Sequence, residues 1–164
     1  MGERVGKGID LNEESRANTG RRELCRVRPE WVDHYGHMNL AYYVAVFDLA
    51  TDALWPALRL GEPFRAQGLG TFAAENWVAY AREVRLDDPL SATSEVLAHD
   101  EKRLLVRHRL FHAAAGFESA RCELLFLCVD LSLRRVRPWP AENRAAFAVA
   151  PQGAPPERLA LRRA

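Results

Sequence analysis

From residue 71 to residue 130 apolar and polar side chains alternate with a period of two, in stretches separated by turn formers, whereas residues 40–47 are apolar without interruption. The alternation predicts strands and the continuous run predicts a helix, because side chains alternate across a strand but recur about every 3.6 residues around a helix. Phe72, Ala74, Asn76, Val78 and Tyr80 alternate with Ala73, Glu75, Trp77, Ala79 and Ala81, a pattern that predicts one long strand over residues 71–86. Asp87-Asp88-Pro89 turns it, and residues 90–99, 103–113 and 117–130 predict three further strands, separated by Asp100-Glu101-Lys102 and by Ala114-Ala115-Gly116.

Ahead of these, residues 22–31 predict a first strand, with Leu24, Arg26 and Arg28 on one face and Cys25 and Val27 on the other. Three turn formers then follow within seven residues, Asp33, Gly36 and Asn39, and Asn39 is placed to cap a helix over residues 40–55 that stops near Pro56. Only Asp48, Thr51 and Asp52 interrupt that helix, so it is expected to be buried on all sides, in the concave face of a curved sheet with a partner subunit or another layer over the rest. One early central helix followed by a long antiparallel meander predicts an α+β architecture.

At 164 residues the chain has room for one core. Residues 1–20 are polar without periodicity and residues 151–164 form an arginine-rich tail, so the domain is expected over 21–150 with flexible ends. A formal charge of +1, from 23 basic and 22 acidic residues, offers no general field for nucleic acid, and no apolar run is long enough to span a membrane. With no signal-peptide core near Met1, a cytoplasmic protein is expected. Cys25, Cys122 and Cys128 lack zinc-site spacing and read as reduced, buried hydrophobes, so neither a metal nor a cofactor is expected.

The order of short strand, D-x-x-G-H-x-N turn, buried helix and four long antiparallel strands over residues 22–140 resembles the hotdog fold, in its 4-hydroxybenzoyl-CoA thioesterase-like branch. Within that branch Val32-Asp33-His34-Tyr35-Gly36-His37-Met38-Asn39 and the helix segment Phe47-Asp48-Leu49-Ala50-Thr51-Asp52 are most similar to the betainyl-CoA thioesterases of carnitine breakdown. Glu75 with Tyr80 and Glu83, Phe111-His112, and Pro138-Trp139-Pro140 agree with that likeness, while Trp77 departs from the family's histidine two residues after the glutamate.

The resemblance implies hydrolysis of a small acyl-CoA thioester, with coenzyme A entering only as part of the substrate, in a homodimer or homotetramer whose sites lie between subunits. Such hydrolysis requires a nucleophile at the carbonyl carbon and donors for the oxygen that becomes negative. The resemblance assigns Asp33 as nucleophile or general base, and the free N–H groups near Asn39 and Leu40 at the helix start can polarise the carbonyl. The alternative for Asp33 is a turn residue that caps the helix. Gly36 either lets the backbone approach a ligand or is an ordinary turn glycine, and His37 either orients the carbonyl or ties the turn together.

A charge inside a strand needs a reason, so Glu75 is a second carboxylate candidate, to activate water across the dimer, against a charge exposed at a strand end. Trp31, Tyr35, Tyr42 and Trp77 are candidates for an aromatic cage around a quaternary ammonium. Lys102 and Arg103 are candidates for the CoA phosphates, with Arg134, Arg135 and Arg137 behind them. His108 and His112 read as structural histidines on a strand face. Two other readings share the scaffold: a non-catalytic acyl-CoA-binding module, and an enoyl-CoA hydratase, whose usual Asp-to-His spacing is one residue longer and includes an Asn-Pro pair.

Overall fold

The computed structural model describes residues 23–161, so the expected N-terminal segment 1–20 lies outside the described residues. Six strands form one antiparallel sheet: β1 (Glu23–Arg26), β2 (Leu69–Tyr80), β3 (Pro89–His99), β4 (Arg103–His112), β5 (Glu118–Asp130) and β6 (Arg135–Val136). Their order is β1-β3-β4-β5-β2, with β6 added to the end of β5. Helix α1 (Leu40–Leu54) crosses the concave face, followed by a short α2 (Glu62–Arg65), and α3 (Ala141–Val149) closes one end of the core. This is the expected hotdog arrangement, a central helix wrapped by a curved sheet.

The sheet bends at bulges in β2 (Ala73/Glu75), in β3 (Val96/Ala98) and in β5, where Ser119 is the extra residue opposite Leu110/Phe111. On the concave side the rows Asn76–Leu124–Val106–Val96 and Val78–Cys122–His108–Ser94 run across four strands. Against them α1 buries Tyr43, Val46, Phe47, Ala50, Thr51 and Leu54, at the i, i+3, i+4, i+7 spacing of one helix face. The expectation that the helix would be buried all round does not hold within one chain. Leu40, Val44 and Leu49 remain exposed on its other face, because nothing else in the described chain covers that side.

His108 lies wholly inside this packing. The Thr51 hydroxyl donates to the Phe47 carbonyl at 2.9 Å, so at 2.9 Å from His108 Nε2 it can only accept, which puts the ring proton on Nε2. Nδ1 then accepts from the Ser94 hydroxyl at 2.8 Å. Burial drives the imidazole down to about 4, and the ring is neutral in the folded chain. A lowered folded value means that the unfolded chain binds the proton first. Stability is therefore lost as pH falls from 6.5, the ordinary histidine value, towards about 4, by roughly 3 kcal/mol at most from this group. Urea unfolding at several pH values should show this loss in the wild type and a shallower dependence over the same window in His108→Leu.

On the convex side, residues 151–161 do not hang free as their composition suggested. The backbone N–H groups of Glu157, Arg158 and Leu159 donate to the buried Glu123 carboxylate at 2.6, 3.0 and 2.8 Å. Arg107, its cross-strand neighbour, donates to Glu123 at 2.8 Å and to the Pro155 carbonyl at 3.0 Å. Helix α3, which the sequence pattern did not reveal, is held by Asn143, whose side-chain amide donates to the Leu58 and Arg59 carbonyls, and by Phe147 packed on Trp139.

Candidate active site

The turn after β1 is pinned on both sides. Asn39 N–H donates to the Trp31 carbonyl at 2.8 Å, Met38 N–H to the Val84 carbonyl at 2.9 Å, and Asp33 N–H to the His37 carbonyl at 3.0 Å. Gly36 sits at φ 81°, a left-handed conformation that favours glycine, although open space surrounds the position where a Cβ would stand. Backbone geometry, and not close approach of a neighbour, is therefore the demand on Gly36.

Asn39 is the helix cap, its side-chain oxygen accepting from Ala41 N–H at 3.0 Å. That leaves Asp33 free of the capping role. One of its oxygens accepts from Tyr35 N–H at 2.9 Å, and the other has no hydrogen-bond partner among the described residues. With Asn39 N–H occupied by Trp31 and Ala41 N–H by the cap, Leu40 N–H is left without an acceptor among the described residues, at the positive end of α1. The turn thus presents an unengaged carboxylate oxygen and an unengaged backbone donor seven residues apart.

His37 is engaged otherwise. Its Nε2 donates to Glu83 at 3.1 Å, and the second oxygen of Glu83 accepts from Arg85 at 3.0 Å. The ring straps the turn to the segment after β2, which supports the tying role over the orienting one. Glu83 is a site residue that the sequence reading matched to the family without giving it a task. It fell inside the strand predicted over residues 71–86, whereas the observed strand ends at Tyr80 and leaves Glu83 in the segment that follows.

Next to Leu40 opens a cleft of about 470 Å³ between α1 and the inner faces of β2 and β5. Ala41, Val44, Ala45 and Phe47 form its helix wall, and Ala73, Leu124 and Phe126 its sheet wall. Three polar side chains interrupt this lining, Asp48, Thr51 and Asn76.

The other expected residues are not gathered at the turn within one chain. Glu75 pairs with Leu125, and Trp77 with Glu123, which places both on the convex face. The bulge at Ala74 is the reason: it puts Ala73 and Asn76 on the same, inner face and turns Glu75 outward. Nor is the aromatic cage assembled. Trp31 is buried with Tyr42 stacked on it at 5.7 Å and the Arg28 guanidinium 5.0 Å from its ring centre, Trp77 lies under Arg158, and Tyr35 points outward at 74% exposure.

Lys102 and Arg103 line a second, open cavity of about 520 Å³. Arg103 is held by Asp100 at 2.7 Å, while Lys102 has no ion-pair partner among the described residues. This cavity lies at the far end of β4 from the turn, roughly 25 Å away along the strand.

The family profile described as the Thioesterase-like superfamily matches residues 27–147. The chain is similar to a betainyl-CoA thioesterase of Pseudomonas aeruginosa PAO1, 36% identical over 117 residues that cover 71% of this chain and 74% of that protein. It is also similar to an L-carnitine dehydrogenase/betainyl-CoA thioesterase of Rhizobium meliloti 1021, 31% identical over 73% of this chain, where it spans only 24% of that longer protein. Among solved structures, a Staphylococcus aureus protein in complex with CoA superposes with a TM-score of 0.72 at 21% identity, covering 88% of this chain and 96% of that one. A 1,4-dihydroxy-2-naphthoyl-CoA thioesterase from Synechocystis superposes with a TM-score of 0.68 at 14% identity, over 76% of this chain and 93% of that one. At these identities the structural likeness speaks to the fold.

Proposed function

Since the chain belongs to the thioesterase-like superfamily, we propose that this thioester hydrolase cleaves a small acyl-CoA, betainyl-CoA first among the candidates, at the turn Asp33–Asn39. The observation that carries the reading is that the turn leaves one Asp33 carboxylate oxygen and the Leu40 N–H unengaged among the described residues, with an apolar cleft opening at Ala41, the residue after Leu40.

The thioester oxygen accepts from Leu40 N–H, where the partial positive charge of the helix terminus stabilises the negative charge that develops. Asp33 either attacks the carbonyl carbon, forming an anhydride that water then hydrolyses, or takes a proton from the attacking water. In both routes the C–S bond breaks and coenzyme A leaves as thiolate, with the acyl group in the cleft beside Ala41. Asn39 and His37 act indirectly, one by fixing the helix start and the other by holding the turn to Glu83.

The reading includes a dimer. Strand β2 is the edge of the sheet, its outer side is unpaired among the described residues, and Phe72, Tyr80, Leu40 and Val44 leave apolar surface exposed beside it. Antiparallel pairing of two β2 edges covers that surface. It also swings the partner subunit's Lys102 to the end where Asp33 sits, about 15 Å aside across three strand spacings, a span suited to the pantetheine arm. Use of a CoA thioester supports a cytoplasmic location as part of the same reading. No helix among the described residues is long and apolar enough to cross a membrane.

The test is release of free thiol from a panel of acyl-CoA thioesters, betainyl-CoA included. Turnover of one or more by a folded protein supports the reading, and absence of thiol release from every member refutes it.

A further inference from the structure

The cleft holds one formal charge. Ala41, Val44, Ala45 and Asp48 recur at i, i+3, i+4 and i+7, so they form one stripe of α1, and Asp48 is the only ionisable group in the cleft lining. It makes no hydrogen bond or ion pair with any described residue, and no Lys, Arg or His lines the cleft to answer it. An acyl group seated there covers the carboxylate and strips its water. That costs free energy unless the ligand brings a positive charge.

We infer that Asp48 is the specificity-determining residue of this site, the carboxylate that selects an acyl group carrying a cation. The inference rests on the thioesterase reading above and adds to it the residue that discriminates among acyl groups. Spacing agrees. Leu40 and Asp48 are separated by about 12 Å along the helix axis, and helical side chains lean towards the N-terminus, which shortens that span. A carbonyl oxygen about 3 Å from Leu40 N–H leaves a cation two to four bonds beyond the carbonyl carbon within coulombic contact of Asp48. A permanently charged, poorly hydrated head suits the place best, since the Phe47 and Phe126 rings that also line the cleft attract such a cation while excluding water. The aromatic partners of the cation are thus these two cleft residues, and not the four aromatic residues clustered along the sequence.

The discriminating measurement compares betainyl-CoA with its neutral isostere 3,3-dimethylbutanoyl-CoA, in which carbon replaces the quaternary nitrogen. Wild type is expected to favour the cationic substrate. Asp48→Asn should lower kcat/KM for betainyl-CoA at least tenfold, mainly through KM, while raising that for the isostere, whose binding no longer strips a carboxylate of its water. Asp48→Glu should keep most of the preference. Asp48 is solvent-exposed in the single chain, so these variants are expected to retain the wild-type melting temperature. Equal losses on both substrates, an unchanged ratio, or a wild-type preference for the isostere overturns the inference and leaves the thioesterase reading standing. Absence of thiol release from any acyl-CoA overturns both.

Discussion

Asp33→Asn is expected to lower kcat on the acyl-CoA substrate by at least about a hundredfold, the low end of what a positioned acid or base contributes, with the melting temperature unchanged. The fold is spared because the one side-chain hydrogen bond of Asp33 among the described residues, acceptance of Tyr35 N–H, is available to the asparagine side-chain oxygen as well. What is lost is the unengaged oxygen as a nucleophile or proton acceptor. Residual turnover survives through Leu40 N–H and the cleft, neither of which the substitution touches. Label found in Asp33 after a single turnover in oxygen-18 water establishes direct attack, with water opening the anhydride at the aspartyl carbon; base catalysis puts label only in the released acid. A variant that keeps wild-type turnover would show that Asp33 is a turn residue and nothing more.

The parts of this site that could be read in the sequence are those whose signals are local. Asp33, Gly36 and Asn39 announce a turn and a helix start within seven residues, and the structure places the free carboxylate, the left-handed glycine and the cap at those positions. The buried stripe of α1 was equally plain, because an apolar run of that length has no other stable use.

What failed was the assignment of faces in β2. Simple alternation groups Ala74 with Asn76 and Ala73 with Glu75, but one extra residue at the bulge turns Glu75 outward and brings Ala73 to the inner face. Nothing in Ala73-Ala74-Glu75 marks a bulge, since no glycine stands there. How far Lys102 and Arg103 stand from the turn was not legible either, because distance in space across a meander is not visible in local pattern. The Glu123–Arg107 pair, by contrast, left a signal that went unused. Arg107 follows Leu104-Leu105-Val106 and Glu123 precedes Leu124-Leu125-Phe126, and opposite charges abutting apolar runs in two strands point to a shared buried site.

That pair is where stability is most exposed to substitution. Glu123 has no solvent exposure and Arg107 little, yet both carry charge. Burial alone pushes the Glu123 carboxyl up, but the N–H groups of Glu157 and Leu159, the Arg107 guanidinium and the N–H of Arg158 outweigh it and hold the group below its usual value of 4.5. A lowered carboxyl contributes stability that is present above pH 4.5 and lost as pH falls through the folded value, so this loss begins where that of His108 is ending.

Glu123→Leu should cost about 3–5 kcal/mol in urea unfolding, since it leaves a buried guanidinium with only Glu157, at 3.7 Å, for an anion and three strap N–H groups without their acceptor. It should also expose residues 151–161 to limited proteolysis. Adding Arg107→Met removes the stranded charge and should recover much of the lost stability while leaving the strap loose, because Arg107 also holds the Pro155 carbonyl. If single and double variants lose the same amount, the stability comes from packing of the strap over Trp77 and the neighbouring side chains, and not from the ion pair.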